Sequence, residues 1–210
     1  MTRSAAAPAK IDFKTQDKAL YRPPVGSFVR IEVPPMSFVM VDGQGDPNQA
    51  PAYRDAVEWL YSVSYALKFA MKAEGRDYVV PPLEGLWWAD DPSSFVAQRK
   101  HAWRWTMMIR TPLDVGVPRF NEAVAKASDK RGTAPQSLRL ALYDEGLCLQ
   151  TLHVGSYDDE GPTLAELHER IMPAQGLTFA GPHHEIYLGD PRKVEPARLK
   201  TVLRQPVRAR

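Results

Sequence analysis

The stretch of this sequence richest in reactive side chains is residues 183–187, His-His-Glu-Ile-Tyr, which leads into the turn Gly189-Asp190-Pro191. Proline cannot continue a sheet ladder, so the segment is predicted to be a strand that stops at this turn. Side chains alternate along a strand. His183, Glu185 and Tyr187 are therefore expected on one face, and the opposite face is expected to be apolar and to point into the core.

Glu185 is the candidate centre of a site on that polar face. A carboxylate among aromatic rings attracts a lipophilic cation whose apolar parts stack on the rings. A desolvated carboxylate can also take a proton from water as a general base. Tyr157 or Tyr187 could then donate a hydrogen bond or a proton to an oxygen that gains charge. The residue types leave binding and catalysis open, with Glu185 and Tyr157 as the candidate catalytic pair.

Aromatic residues elsewhere supply candidate walls for such a site. Trp88 and Trp105 are predicted to form its flat surfaces, although core packing explains both equally well. Tyr61 and Tyr65 lie four residues apart on a predicted helix, where packing against the core is the commoner role. The remaining candidate ligand-binding residues are Tyr143, His153, His183 and Tyr187.

Metal chemistry and nucleophilic chemistry are disfavoured. His183 and His184 are adjacent on a strand and point to opposite faces, so they cannot chelate one ion. His153 and His183 could meet across strands, but nothing in the sequence supports Glu185 as a third ligand, so a zinc site is not expected. The single cysteine, Cys148, lies in an apolar run and is predicted to be a buried, inert thiol. Neither a metal nor another cofactor is predicted.

Composition excludes several classes of protein. The chain has 210 residues, a net charge of +2 and 44% hydrophobic residues, which suits a globular domain and gives no reason to expect a nucleic acid partner. No apolar run approaches the roughly 20 residues that span a membrane, and the first residues lack the apolar segment of a signal peptide. A cytoplasmic protein with a small-molecule partner is expected, as a monomer or a homodimer.

Three helices are predicted from hydrophobic periodicity. The first is long, over residues 51–72, with proline in its first turn. The second covers 118–130. The third covers 163–174, where Thr163 and Glu166 are expected to form a capping box.

Strands are predicted where β-branched and aromatic residues are bounded by turn residues. They are expected at 28–32, 37–41, 83–89, 101–111, 138–143, 147–154, 183–188 and 199–205. The strands on either side of Asp144-Glu145-Gly146 are expected to pair with each other as a hairpin.

The order of these elements repeats along the chain. The series strand, helix, strand, strand occurs at about 36–111 and again at about 138–207. Two such units are expected to join into one antiparallel sheet with helices on one face and a central aromatic cleft, an α+β fold. Residues 28–207 would form this single domain, and residues 1–27 would form an irregular N-terminal arm.

Several segments together resemble the GyrI-like small-molecule-binding family. In the second half of the chain they are residues 152–163, 183–193 and 199–207, which contain the runs Gly-Ser-Tyr, His-His-Glu-Ile-Tyr and Leu-Arg-Gln-Pro. In the first half they are the aromatic segments 59–65, 83–88 and 103–108. The resemblance covers roughly residues 10 to 207.

The resemblance implies two strand–helix–strand–strand units about a central cleft. Relatives include BmrR-type effector domains of transcription regulators, free-standing binders, and enzymes that hydrolyse cyclopropane-bearing genotoxic natural products. The family's glutamate matches Glu185, and its Gly-Pro-Tyr turn matches Gly155-Ser156-Tyr157, with serine in place of proline. The implied function is binding of bulky aromatic, cationic or electrophilic compounds at Glu185, or hydrolysis of a strained one. A third alternative, contact with a DNA-handling enzyme, would give Glu185 no role.

Overall fold

Nine β-strands form one antiparallel sheet in the computed structural model, which describes residues 10–90 and 99–210. The strands are β1 (Val29–Val33), β2 (Met36–Gln44), β3 (Leu83–Trp88), β4 (Arg104–Thr111), β5 (Arg139–Tyr143), β6 (Gly146–Val154), β7 (Leu177–Phe179), β8 (His183–Tyr187) and β9 (Lys200–Ala209). Every strand expected from the sequence is present with slightly different bounds, and β7 is additional. The α+β class is confirmed.

Five helices accompany the sheet in the described residues. They are α1 (Phe13–Gln16), α2 (Lys18–Tyr21), α3 (Pro51–Ala73), α4 (Val117–Arg131) and α5, which runs through residues 161–174. Proline occupies the first turn of both α3 and α4, where its missing N–H leaves no bond unmade. α3 packs against β2 and β4, and α4 packs against α3. The face of α3 that carries Leu60, Leu67 and Met71 is buried in the core.

The strand order is β1-β6-β9-β8-β3-β4-β2-β5, and β7 pairs with the end of β9. Outward from the central β3–β8 pair, one half of the sheet contains β4, β2 and β5, and the other contains β9, β6 and β1. The series β2, α3, β3, β4 lies in the first half, and β6, α5, β8, β9 lies in the second. That the two series are repeats of each other stays a prediction.

The hairpin predicted between β5 and β6 is wrong. β5 pairs with β2, whereas β6 pairs with β1 and β9. The register continues across the break, since Val33 pairs with Gly146 and Met36 pairs with Tyr143. β1 and β2 therefore act as one long strand that crosses between the halves of the sheet. It bends at Pro34-Pro35, because neither proline has an N–H for the ladder.

Helix α5 begins earlier than predicted and is irregular. Its consecutive segments are Gly161–Ala165, the π-helical stretch Glu166–Ile171, and Met172–Ala174. Glu160 occupies the N-cap and no side chain caps the helix there, so the predicted capping box at Thr163 is wrong. Pro173 has no N–H to donate to the preceding turn, which favours the wider π turn.

The N-terminal segment was expected to be irregular, but its described part, residues 10–27, contains α1 and α2. Phe13, Leu20 and Tyr21 of these helices are buried in the core. Apolar burial therefore gives order to a segment that has little periodicity of its own. Residues 1–9 of the predicted arm lie outside the described residues, and the limits of the domain stay a prediction.

Candidate functional site

Strand β8 presents its side chains in the alternation that the sequence predicts. His184 and Ile186 are buried on one face. His183, Glu185 and Tyr187 lie partly buried on the other, which we call the cleft face. The side chain of Glu185 is 15% exposed, so its carboxylate is largely removed from water.

Two hydrogen bonds in series hold the Glu185 carboxylate. Tyr187 Oη donates to Glu185 Oε2 at 2.8 Å, and Trp87 Nε1 donates to Tyr187 Oη at 2.9 Å. Gly85 lies opposite Glu185 in the β3–β8 register. A Cβ at Gly85 would lie 2.9 Å from Trp87 Nε1 and 3.2 Å from Tyr187 Oη, so a side chain there would push these groups apart. The other carboxylate oxygen, Oε1, lies 3.5 Å from His183 Nε2.

Aromatic side chains from α3, β3 and β4 lie beside this carboxylate. Tyr53 stacks on Trp87 with ring centroids 6.2 Å apart and meets Trp105 edge-on at 5.3 Å. Trp103 packs edge-on against Trp87 at 5.9 Å. Burial, followed by the charge of Glu185, raises the pKa of Tyr53, so its phenol stays protonated. Neither Tyr53 nor Trp87 is among the site residues predicted from the sequence.

The two tryptophans predicted as flat walls lie in different places. Trp105 is fully buried on the cleft side, in edge contact with Tyr53. Trp88 lies on the opposite face of the sheet, where it lines a surface depression together with Thr106. Alternation is the reason, because Trp87 is the partner of Trp105 in the β3–β4 register and takes the cleft face itself.

Tyr157 reaches the cleft from the turn that precedes α5. Its ring packs edge-on against Tyr187, with centroids 5.5 Å apart. Burial, followed by the charges of Glu160 and Glu185, raises the pKa of Tyr157 to about 12. The structure therefore brings Tyr157, Tyr187 and Glu185 together, and their roles stay predictions.

His153 supports this turn. Its Nε2 donates to the carbonyl oxygen of Ser156 at 3.0 Å. Gly155 has a φ of 150°, and a Cβ there would lie 3.0 Å from the same nitrogen, so the turn requires glycine. Ser156 has a φ of −70°, which is the value that proline would impose. Ser156 thus has the backbone φ that a proline at this position would also adopt.

Glu160 is a second buried carboxyl group close to Glu185, and it is not among the site residues predicted from the sequence. It is 3% exposed, and its Oε1 has no hydrogen-bond partner among the described residues. Burial, followed by the negative charge of Glu185, raises the pKa of Glu160 to about 9. Two carboxyl groups that repel each other in a buried site do not both ionise, so Glu160 carries a proton at neutral pH.

Two histidines, His168 and His183, lie close to each other, and His183 also lies beside Glu185. His168 Nε2 and both ring nitrogens of His183 are buried without a hydrogen bond to any described residue. Burial, followed by the neighbouring His183, lowers the pKa of His168 to about 4, so this ring is neutral. The π-helical stretch of α5 carries His168, and such stretches are frequent at functional sites.

Of the three other tyrosines predicted to bind ligand, Tyr61 lies near Tyr53, whereas Tyr65 lies further along α3 and Tyr143 lies on the other face of the sheet. Tyr61 lies near Asp190, and its ring stacks on that of Tyr65, which is 46% exposed. Tyr143 pairs with Met36 in the β2–β5 register and so points to the face opposite the cleft, where burial and then the charge of Glu145 raise its pKa. Direct ligand contact by these tyrosines stays a prediction.

The opposite face of β8 is not purely apolar. It carries four fully buried charged side chains that we call the buried network: Glu84, Glu145, His184 and Arg204. His184 Nδ1 lies 2.9 Å from Glu145 Oε1, and His184 Nε2 lies 3.0 Å from Glu84 Oε2. Arg204 Nη1 donates to Glu145 Oε2 at 3.0 Å. Each charge in this network therefore has an opposite partner.

The buried network extends to α2 and to β6. Arg204 Nε donates to Gln150 Oε1 at 3.0 Å, and Arg204 Nη2 donates to the Leu20 carbonyl oxygen at 2.8 Å. Tyr21 Oη donates to Glu84 Oε1 at 3.4 Å. α1 and α2 thus cover this face of the sheet, whereas α3 covers the cleft face.

Pairing decides the protonation states in the buried network. Burial alone would raise the pKa of Glu145, but His184 and Arg204 outweigh it and lower the pKa to about 2. Burial likewise opposes a charge on His184, yet Glu145 and Glu84 raise its pKa to about 8. His184 is therefore protonated at neutral pH and donates from both ring nitrogens.

Metal ligands do not cluster in the described part of the chain: no three His, Cys, Asp or Glu side chains there group closely enough to hold an ion. Cys148 is buried as predicted, and burial raises the pKa of its thiol. Within residues 10–90 and 99–210, no helix is long and apolar enough to cross a membrane.

The α+β sheet of this chain holds a largely buried carboxylate, that of Glu185, beside the aromatic rings of Tyr53 and Trp87. The sequence model of the GyrI-like small molecule binding domain matches residues 29–208. The chain therefore belongs to the GyrI-like family, as its motifs indicate.

Two solved structures from Listeria innocua are similar over nearly the whole chain. An uncharacterized conserved protein is 40% identical, with a TM-score of 0.87, and a hydrolase is 39% identical, with a TM-score of 0.81. In both comparisons, 95% of this chain matches 100% of the other. The EcmrR C-terminal domain, at 12% identity and a TM-score of 0.55, matches over 88% of this chain and 98% of its own, which shows the shared fold alone. No curated protein matches the chain.

Proposed function

We propose that this domain binds flat aromatic electrophiles in its cleft and hydrolyses them, with Glu185 as the general base. The observation that carries the proposal is the series of hydrogen bonds from Trp87 through Tyr187 to Glu185. These bonds fix one carboxylate oxygen and leave the other for a water molecule. A Listeria innocua protein described as a hydrolase, with 39% identity to this chain, supports an enzymatic role.

The proposed substrate carries a cyclopropane ring conjugated to a carbonyl group. Glu185 Oε1 takes a proton from water while the water oxygen attacks the unsubstituted cyclopropane carbon. One carbon–carbon bond of the small ring breaks, and its electron pair moves through the conjugated ring to the carbonyl oxygen. That oxygen takes up a proton and becomes a phenol, so the product is the substrate plus one water. Strain release drives the step, and the protein positions the water and stabilises the oxygen.

The tyrosines of the cleft have separate roles in this proposal. Tyr187 directs its O–H to Glu185 and therefore positions the base. Tyr157 keeps its proton at neutral pH, because its pKa is raised to about 12. We assign to Tyr157 a hydrogen bond to the substrate oxygen. The stacked pair of Tyr53 and Trp87 would hold the aromatic body of the ligand.

A second candidate function is capture without turnover. It is favoured by the position of the Glu185 carboxylate beside the stacked rings of Tyr53 and Trp87, which suits a lipophilic cation. Both functions require the same cleft, and they differ in whether water is added to the ligand.

Mass spectrometry of a duocarmycin-type cyclopropane compound, incubated with wild type and with Glu185→Gln, tests the proposal. The substitution keeps the shape of the side chain and removes the base. We expect ring-opened, water-added product from the wild type and at least a hundredfold less from the variant. Glu195→Gln, an exposed carboxyl before β9, is the matched control and should behave as wild type. Equal turnover by wild type and Glu185→Gln would remove Glu185 from the chemistry.

A further inference from the structure

Buried polar atoms without partners are concentrated on the cleft side of β8 and β9. In the described residues they include Glu160 Oε1, His168 Nε2, both ring nitrogens of His183 and Thr201 Oγ1. Native proteins leave few such atoms unpaired. The Thr201 hydroxyl faces the Glu160 carboxyl and can pair with it, whereas the free oxygen of Glu160 and the histidine nitrogens indicate a partner that arrives with ligand or with water. Thr201 lies opposite Tyr187 in the β8–β9 register, so these groups flank Glu185 on both sides.

We propose that Glu160 is the proton donor of this site, where it enters as an uncharged carboxylic acid and gives its proton to an oxygen of the ligand. The inference rests on the hydrolytic function proposed above and narrows its substrate class. A neutral acid and two imidazoles with unpaired nitrogens suit an uncharged aromatic ligand that carries a carbonyl oxygen. They give a cation only the single charge of Glu185.

The surroundings of Glu160 keep it protonated. Glu185 and Tyr187 face it from β8, Thr201 faces it from β9, and Tyr157 and Asp158 precede it in its own turn. None of these five side chains is a cation, and Lys100 pairs with Asp158 at 3.3 Å. The N-terminus of α5 and a hydrogen bond with Thr201 favour the ionised form. Burial and the charge of Glu185 outweigh them and raise the pKa of Glu160 to about 9.

The two carboxyl groups then complete one cycle without a further reactant. Glu185 gains the proton that water loses, and Glu160 loses the proton that the ligand oxygen gains. The transfer of one proton from Glu185 to Glu160 restores the starting state, with one water added to the ligand. The electrostatic repulsion between the two groups favours this state, in which they hold one proton between them.

Turnover of the duocarmycin-type compound between pH 6 and pH 10, by wild type and by Glu160→Gln, tests the assignment. In the wild type we expect the rate constant kcat to fall as pH rises through about 9, because the acid loses its proton. In the variant we expect kcat to be lower on the order of 100-fold, with little change in KM and without the alkaline decline. Glu169→Gln, an exposed carboxyl on α5, is the matched control. A variant that keeps the wild-type rate, or a slow variant that keeps the alkaline decline, would overturn the assignment.

Calorimetric binding of the same compound separates this inference from the proposed function. If the wild type binds the compound without turning it over, hydrolysis is excluded. The pH dependence of binding then still tests the role of Glu160. The affinity of the wild type for the compound should then be about tenfold lower above pH 9 than below it. Glu160→Gln should bind the compound with the same affinity above and below pH 9. Affinities with the same pH dependence in wild type and variant would exclude Glu160 as the donor.

Discussion

His184 and Glu185 are neighbours in sequence, yet strand β8 places them in opposite electrostatic settings. On the face of His184, every charge of the buried network has a partner at hydrogen-bond distance. On the cleft face, one oxygen of the Glu185 carboxylate accepts a hydrogen bond, and Glu160 has an oxygen with no partner among the described residues. Both faces carry buried ionisable side chains. The faces differ in whether each of these groups has a partner of opposite charge.

The difference separates a role in stability from a role in chemistry. A compensated buried charge holds strands together, and removing one member leaves the others unpaired. An uncompensated buried carboxyl lowers the stability of the folded state, but it retains an oxygen or a proton for a ligand. Substitutions on the two faces should therefore change stability in opposite directions.

The largest expected effect is the loss of the buried network. Arg204→Met leaves Glu145 with His184 as its one cationic partner, and we expect the free energy of unfolding in urea to fall by about 3–5 kcal/mol. Arg139→Met breaks an ion pair with Asp42 in which both side chains are over 40% exposed, and should cost less than about 1 kcal/mol. Similar losses of unfolding free energy in Arg204→Met and Arg139→Met would contradict the idea that the buried network stabilises the fold more than an exposed ion pair does.

A substitution at Glu160 is expected to raise the free energy of unfolding instead of lowering it. The unfolded chain ionises Glu160 near pH 4.5, whereas the folded chain keeps its proton up to about pH 9, so stability falls as pH rises through this window. Glu160→Gln removes this loss and should raise the free energy of unfolding at pH 7 by about 3 kcal/mol, at 1.36 kcal/mol per pKa unit. Urea titrations at pH 4 should show little difference. Equal stability of variant and wild type at pH 7 would show that Glu160 is ionised there.

The pH dependence of the buried network is a third test, best made in the Glu160→Gln background. His184 contributes stability that is fully present below pH 6.5 and is lost as pH rises through about 8, which amounts to about 2 kcal/mol. Glu145 contributes stability that is present above pH 4.5 and is lost as pH falls through about 2. Thermal unfolding should therefore show a maximal Tm between about pH 4.5 and 6.5. A Tm that stays constant from pH 6 to pH 9 would contradict the assigned charge of His184.

The smallest effect concerns the two adjacent tryptophans. Trp87→Phe removes the N–H that fixes Tyr187, and should weaken binding of the duocarmycin-type compound about tenfold, which corresponds to 1.4 kcal/mol. Trp88→Phe changes the other face of the sheet and should leave the affinity unchanged. Calorimetry measures the affinity of both variants. A larger loss of affinity in Trp88→Phe than in Trp87→Phe would indicate that the compound binds on the face of Trp88.

The sequence predicted those features that depend on local pattern. The bounds of α3 followed from apolar periodicity with proline at its start, and the cleft face of β8 followed from alternation. The choice between Trp87 and Trp88 required the register of β3 against β4, which distant residues determine. The burial of Glu160 likewise depends on how α5 packs on β8 and β9.

Polar residues at core positions of the sequence indicate the buried network. Arg204 follows the apolar pair Val202-Leu203 in β9, and Glu84 and His184 occupy positions where alternation predicts core residues. Polar residues at such positions indicate a buried partner of opposite charge. Their partner Glu145 was assigned to a hairpin turn, because the crossing of β5 and β6 between the two halves is not visible in a local pattern.

The long strand that bends at Pro34-Pro35 has a consequence for the order of folding. β2, α3, β3 and β4 are neighbours along the chain, so this half can assemble early through contacts of short sequence separation. β1 precedes them but pairs with β6, far along the chain, and must stay unpaired until β6 arrives. We expect the first half of the sheet to form before β1 docks. During synthesis, the unpaired β1 is then a segment open to non-native pairing.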